Sequence, residues 1–397
     1  MSFRINKQML VHGFFVTLLL AAGLAAASGN RSDVVRRAKI LWKAGISPCM
    51  LTKPTIEGNI LFTGSCDGKF YALEKKTGKE IWSYDTRNDG STGTLQADPL
   101  LHKNLVVAGT DSVCSATGGD YVYAFDQETG NVIWKLHASV ASSSFADVDG
   151  FAETAGMIVF GTREGEWVSV DVSSGRVNWR FQTASPGPNC ETKTFVVSDG
   201  VNVCLLAFDG TIHCLEARSG RELWKRTPTS VVTTGLLMQW DVLYYGSADD
   251  QIYSLKPSNG DVLGRLKLSA TPVGNIAGSD SGTKGELDFA YATDKKNGAG
   301  VVFASDDELT SVLWSRTSGR IWTSREPVAW NGLVITGNCY GDIVAFRASN
   351  GAPQWKGHVD GCIKTISHDD STLYLAMQEG TIYAYQPPAR PHPTPSK

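Results

Sequence analysis

One pattern constrains this chain more than any other: a strand, a tight turn and a tryptophan that return along its length. YALEKKTGKEIW occupies 71–82, YAFDQETGNVIW 123–134, VSVDVSSGRVNW 168–179 and HCLEARSGRELW 213–224. In each copy an alternating apolar run makes a strand, and Ser/Thr-Gly supplies the positive φ of a tight hairpin. The tryptophan follows four residues later, at a fixed facing on the next strand. The turn glycines are Gly78, Gly130, Gly175, Gly220, Gly260, Gly319 and Gly351. Tryptophan stands at the expected offset as Trp82, Trp134, Trp179, Trp224 and Trp355; Gly264 takes that place in the fifth copy, and Trp322 comes one residue early in the sixth. Those two units are expected to be the least regular.

Upstream of the turns runs a second series of hairpins, GSCDGKFYAL, GTREGEWVSV, AFDGTIHCL, GSADDQIYSL, GNCYGDIVAF and QEGTIYAY, four of them punctuated by Asp-Gly or Glu-Gly. Four short antiparallel strands per unit describe a propeller blade. The last unit, TLYLAMQEGTIYAYQPP, stops after its third strand, while RAKILWKAG at 37–45 is a strand with a tryptophan, Trp42, and no hairpin before it. Joining the two completes an eighth blade at about 46 residues per blade and closes the ring without exposed edges. The expected fold is therefore all-β, an eight-bladed propeller of four-stranded antiparallel blades closed by an N-terminal strand. The tryptophans Trp42, Trp82, Trp134, Trp179, Trp224 and Trp355 are expected to be wedges that dock one blade on the next.

Composition and termini bound the setting. With 37 Lys plus Arg against 40 Asp plus Glu, a net charge of -3, nothing recommends nucleic acid as a partner. Residues 1–27 read as a secretory signal: Arg4 and Lys7, an apolar run from Phe14, and small residues at Ala25-Ala26-Ala27. The run from Phe14 to Ala27 falls short of the roughly 20 residues a membrane span needs, so cleavage is favoured over a retained anchor and no span remains. No cysteine near that site offers a lipid attachment point. Residues 28–386 form the propeller, and the Pro-rich 387–397 form a disordered tail. The expected product is a periplasmic or secreted monomer.

The motif Ala124-x-Asp126-x-x-Thr129-Gly130-x-x-x-Trp134 resembles the pyrroloquinoline quinone (PQQ)-type repeat, and the resemblance covers nearly the whole mature chain. It implies a propeller of one of two kinds. Quinoprotein dehydrogenases hold PQQ and calcium in a central funnel; non-enzymatic relatives include the lipoprotein of the outer-membrane β-barrel assembly machinery. The dehydrogenases' bridged adjacent cysteines and Cys-x-x-Cys-His haem motif are missing here. The resemblance thus implies a non-catalytic scaffold for another exported or envelope protein, with no cofactor. A PQQ-dependent oxidoreductase with PQQ and calcium in the funnel is the alternative. A binder of sugars or polymers has no dedicated motif.

Eight cysteines remain: Cys49, Cys66, Cys114, Cys190, Cys204, Cys214, Cys339 and Cys362. Six map to one face of the disc, and the blade geometry pairs Cys49 with Cys66 and Cys339 with Cys362 in an oxidising compartment. Cys114 stands on the long loop GTDSVCSATGGD, and a blade intervenes between it and Cys190. Cys204 and Cys214 are expected on opposite faces as thiols. Asp67, Glu164, Asp209, Asp249, Asp250, Asp342 and Glu379 gather on the same face, either as a negative collar or as the residues Asp-Gly and Glu-Gly turns require. Asp147-Val-Asp149-Gly150-Phe151-Ala152-Glu153 has the outline of a calcium loop, but Phe151 and Ala152 replace ligand and turn positions. No catalytic residue or metal ligand set is expected.

Overall fold

Second and third strands are apolar without alternation, as in LFTG, VYAF and WVSV, because a neighbouring sheet covers both faces of these strands. Phe62, Val122, Tyr123, Phe160 and Trp167 are all buried. In the fourth strands exposed and covered positions alternate, as in Val132–His137. This is the burial expected of sheets stacked side by side around an axis, with only their last strand at the rim. The computed structural model describes residues 38–388 apart from 92, 96, 112–120, 139–149, 163–164, 184–194, 279–287, 294–298, 307 and 321–326.

The described strands pair into seven four-stranded antiparallel sheets and an eighth whose first strand is broken in two. In chain order, blade one begins at Thr55 and ends at Asp85, blade two runs from Thr94 to His137, and blade three from Ala152 to Gln182. Blade four spans Phe195 to Arg226, blade five Leu237 to Lys267, blade six Thr271 to Arg320 and blade seven Val328 to His358. The last sheet takes three strands from Ile363 to Gln386, and its outermost strand is the N-terminal segment Lys39–Gly45. That segment lies antiparallel to Thr381–Gln386, with Lys39 opposite Gln386 and Gly45 opposite Thr381.

The tryptophans sit between sheets. Trp82 of blade one lies on the Gly130 turn of blade two and donates its indole N–H to the Gln127 carbonyl at 2.9 Å. Gly130 has φ +71°, and a Cβ there would stand 2.6 Å from the Trp82 ring, so the turn and the close approach both require glycine. The same dock recurs for Trp42 on Gly78, Trp134 on Gly175, Trp179 on Gly220 and Trp224 on Gly260. Each of these indoles donates to a carbonyl of the next sheet: Lys75, Val172, Ala217 and Pro257. Such a wedge contributes about 1.5–3 kcal/mol by burial and about 1 more by its hydrogen bond.

Every fourth strand prepares the dock with a β-bulge one residue before the wedge position. In blade four Cys214 pairs with Trp224 and Leu215 with Glu222, which leaves Leu223 unpaired. The bulge turns the tryptophan inward and bends the edge strand away from outside pairing.

Two units depart from the expected pattern. In the sixth, Gly319 lies inside the strand Val312–Arg320 rather than at a turn, and Trp322 lies outside the described residues. The wedge is Trp314, which docks on Gly351 and donates to the Ala348 carbonyl at 2.7 Å. Between blades five and six the lock is inverted. Gly264 occupies the wedge position, and a Cβ there would meet the Glu308 carbonyl at 2.7 Å and Leu309 at 3.6 Å. Leu309, 2% exposed and with φ +55°, fills the space from the turn side. Trp355 has no following glycine turn to dock on. It stacks on Tyr385, with ring centroids 6.1 Å apart, in a cluster that also takes Ala38.

Disulfides join Cys49 to Cys66 and Cys339 to Cys362. The first does not need the uninterrupted register its spacing suggests. Thr55 pairs with Phe62 but Leu51 pairs with Ser65, so the strand slips around Lys53-Pro54 and still delivers Cys49 to its partner. Cys204 and Cys214 correct an expectation: they are directly opposite on paired strands, share a face, and form a third disulfide in the blade-four core. The Ala207–Thr211 turn sets that register, Ala207 N–H donating to the Thr211 carbonyl. Cys114 and Cys190 lie outside the described residues.

Candidate functional site: the axial funnel

A cavity of about 1050 Å³ opens among first strands, the segments that lead into them and the 206–210 turn of blade four. Its lining includes Lys53 of blade one, Asp98 of blade two, Phe195 and Asp209 of blade four, Thr233 and Thr234 ahead of blade five, Asn275 of blade six, and Lys364 and Thr365 of the last sheet. Mixed apolar and polar walls at this volume are typical of small-ligand sites.

These side chains sit where the inner strands break. Lys53 lies between the Leu51–Ser65 bridge and the strand that begins at Thr55. Asp98 lies in the gap between Thr94–Leu95 and Leu100–His102, both of which pair with Leu105–Asp111. Thr233 and Thr234 fall between the Val232–Ser247 bridge and the strand at Leu237. Asn275 falls inside the register shift between Pro272 and Ile276, and Lys364 inside the shift between Ile363 and Thr365. The first strands of blades three and seven pair without interruption and supply none of the lining residues. A bulge re-aims a side chain that regular pleating would send elsewhere, and here five interruptions open onto one cavity.

Hydrogen bonds tie many of the lining groups into the wall. Thr234 Oγ1 accepts from the Gly246 N–H at 2.7 Å, and Thr233 Oγ1 donates to the Pro272 carbonyl at 2.7 Å. Thr52 Oγ1 accepts from Gly64 N–H at 2.9 Å. Asp98 accepts the Lys53 backbone N–H at 2.8 Å, and Asp209 the Thr211 N–H at 2.9 Å. Thr365 differs: its hydroxyl is buried without a hydrogen-bond partner. Such a group carries a desolvation cost of about 1–3 kcal/mol.

The acidic collar resolves into turn chemistry. Asp67 accepts from the Lys69 N–H, and Asp342 receives the Asn338 side-chain amide and lies 3.1 Å from His358 Nδ1. Burial opposes ionisation of Asp249, but hydrogen bonds from the Tyr253 and Ser247 hydroxyls and from Gln251 hold its carboxyl below the usual range. Asp250 accepts from the Thr271 hydroxyl at 2.5 Å, and Glu379 accepts from the Cys362 N–H at 3.4 Å. Glu164, Asp147 and Asp149 lie outside the described residues; Glu153 lies 2.7 Å from His102 Nδ1 of blade two.

Calcium does not fit the donor set of the described funnel residues. Calcium takes 6–8 oxygen ligands with several carboxylates. The funnel's two described carboxylates hold backbone N–H groups, and among the described residues no three His, Cys, Asp or Glu side chains gather to hold a metal. None of the lining residues is a cysteine.

With fold and site in view, the comparisons with known proteins have a frame. The described sheets define the class, a propeller of PQQ-type repeats. A family model described as outer membrane protein assembly factor BamB matches residues 32–264, more than half of the chain, and the chain belongs to that family. The BamB of Shewanella oneidensis is 22% identical over 276 residues, covering 64% of this chain and 65% of that protein, just under two thirds of its length. The crystal structure of BamB from Moraxella catarrhalis superposes with a TM-score of 0.67 at 16% identity over 88% of this chain and 99% of that one. A quinohemoprotein alcohol dehydrogenase from Comamonas testosteroni matches equally well, with a TM-score of 0.67 at 15% identity over 91% of this chain and 78% of that one. At these identities the structural likeness shows the fold alone.

Proposed function

We propose that this chain is an exported, non-catalytic propeller that holds another envelope protein and serves as an assembly factor for outer membrane proteins. The match of residues 32–264 to the assembly-factor family carries this reading. On this reading residues 1–27 are removed on export and the mature protein is a periplasmic monomer. Its eight sheets are the blades of one ring that Lys39–Gly45 closes, which presents loops on a rigid frame at little ordering cost. Among the described residues no helix is long and apolar enough to cross a membrane.

Two measurements on the mature protein test the reading together. Titration with PQQ and calcium should give neither a quinone absorption band on the protein nor dye reduction with alcohols. Affinity purification from its own envelope after crosslinking should recover outer membrane assembly proteins, identified by mass spectrometry. Tight, saturable PQQ binding with turnover would replace the scaffold reading with the enzyme one.

A further inference from the structure

The three described disulfides differ in accessibility and in surroundings. Cys204 and Cys214 are fully buried between the second and third strands of blade four. Cys49 and Cys66 are half-buried, at the join between the N-terminal strand and blade one. Two sheets meet there: the Ile46 and Ser47 N–H groups donate to the Gly380 carbonyl of the last sheet at 3.0 and 3.2 Å, and the Cys66 N–H of blade one donates to the Met50 carbonyl at 3.0 Å. The two sulfurs have unlike neighbours. Cys49 Sγ has the Ser47 hydroxyl at 3.6 Å and the Ser65 hydroxyl at 3.8 Å. Those hydroxyls also bond to each other, so one of their protons lies between them and the other can be directed to sulfur. Cys66 instead precedes the half-buried Asp67, whose carboxylate accepts the Lys69 N–H at 3.2 Å. Negative charge opposes formation of a thiolate beside it. In thiol–disulfide exchange the sulfur that makes the better-stabilised thiolate is the better leaving group.

We propose that Cys49–Cys66 is a thiol-exchange site: a thiolate of a dithiol reductant attacks Cys66 Sγ, and Cys49 leaves as a thiolate stabilised by the Ser47 and Ser65 hydroxyls. The incoming sulfur bonds to Cys66 as the Cys49–Cys66 bond breaks. The second thiol of the reductant then displaces Cys66, so two electrons and two protons pass from the dithiol to the chain, which gains two thiols while the reductant becomes a disulfide. The consequence falls on residues 46–53, which link Lys39–Gly45 to blade one and from which Met50 to Lys53 line the cavity. That segment loses its covalent tie to the turn at 65–69. The exchange does not depend on the scaffold role, since it requires no docked partner.

The test exposes the folded, full mature chain near neutral pH to dithiothreitol in one arm and reduced glutathione in the other. Each reaction is quenched with acid, alkylated with N-ethylmaleimide and mapped by mass spectrometry of its peptides. With dithiothreitol, Cys49–Cys66 should open at least tenfold faster than Cys204–Cys214. With glutathione, the adduct should stand on Cys66 and the alkyl label on Cys49. Ser47→Ala should slow the opening of Cys49–Cys66 about three- to tenfold, with circular dichroism and the rate at Cys339–Cys362 unchanged. A merely structural role for Ser47 would have the opposite sign, because a loosened segment exposes the bond and speeds its reduction. Should Ser47→Ala fail to fold, the position of the glutathione adduct on the unsubstituted chain decides. The proposal is overturned if Cys49–Cys66 opens no faster than Cys204–Cys214, if the adduct stands on Cys49, or if folded Ser47→Ala opens at an unchanged or higher rate.

Discussion

The rim and the funnel of this molecule obey different rules. At the rim, every fourth strand carries the same bulge, and six sheet-to-sheet contacts repeat one dock, a tryptophan on a glycine turn with an indole-to-carbonyl hydrogen bond. Around the funnel, five interruptions of the inner strands open onto the cavity, while Phe195 reaches it from an unbroken strand. Repetition holds the sheets together, and departures from it build the site. Variants at the rim should therefore change stability, and variants in the funnel should change what is bound.

The largest effect is expected at a regular wedge. Trp179→Ala removes a buried indole and leaves the Ala217 carbonyl without its donor, which should cost about 3–5 kcal/mol in urea unfolding. A loss under about 1 kcal/mol would break the claim that the wedges hold the ring. Next comes the inverted lock, where Leu309→Ala should cost about 2–4 kcal/mol, because this side chain fills the space that tryptophan fills elsewhere. The inversion can be sharpened by a double variant. Gly264→Trp alone overpacks against the Glu308 carbonyl, costing about 1–3 kcal/mol. Combined with Leu309→Gly it should recover at least about 1 kcal/mol of the summed losses; strict additivity would show that the two positions do not share one space.

The smallest effect concerns the turns on which the wedges rest. The hydroxyls of Ser173 and Ser174, helped by their backbone N–H groups, hold the Asp171 carboxyl below the usual range. A folded value below the unfolded one means that the contribution is present above about pH 4 and is lost as pH falls through the folded value. Asp171→Asn should flatten the acid limb of the stability curve below pH 4 and, at this exposed site, cost about 0.5 kcal/mol or less at pH 7. An unchanged acid limb would mean that these turns do not couple to folding.

This division also explains what was legible in the sequence. The Gly-x-x-x-Trp docks could be read directly because turn geometry demands glycine and the strand fixes the facing of the tryptophan four residues on. The sixth unit escaped because Leu309 supplies the positive φ that glycine supplies elsewhere, which drew attention to Gly319 and Trp322 and away from Trp314. The Cys204–Cys214 bond follows from a three-residue loop, Phe208-Asp209-Gly210: counting outward from it pairs Ala207 with Thr211 and Cys204 with Cys214, whereas a two-residue Asp209-Gly210 turn would set them one residue out of register. The funnel had no comparable signal. Lys53, Asn275 and Lys364 look like ordinary residues of ordinary strands, and only packing against adjacent sheets fixes where the register slips. The Leu95 side chain against Gly64 and Pro272 against Gly246 are such contacts.

The division between rim and funnel meets its most direct test in urea unfolding of Lys364→Met beside Trp179→Ala under identical conditions. The account predicts a midpoint for Lys364→Met that corresponds to within about 0.5 kcal/mol of the unsubstituted protein, while Trp179→Ala loses about 3–5 kcal/mol. A loss for Lys364→Met as large as that for the wedge variant would contradict it, and would make the broken inner strand part of what holds the ring together.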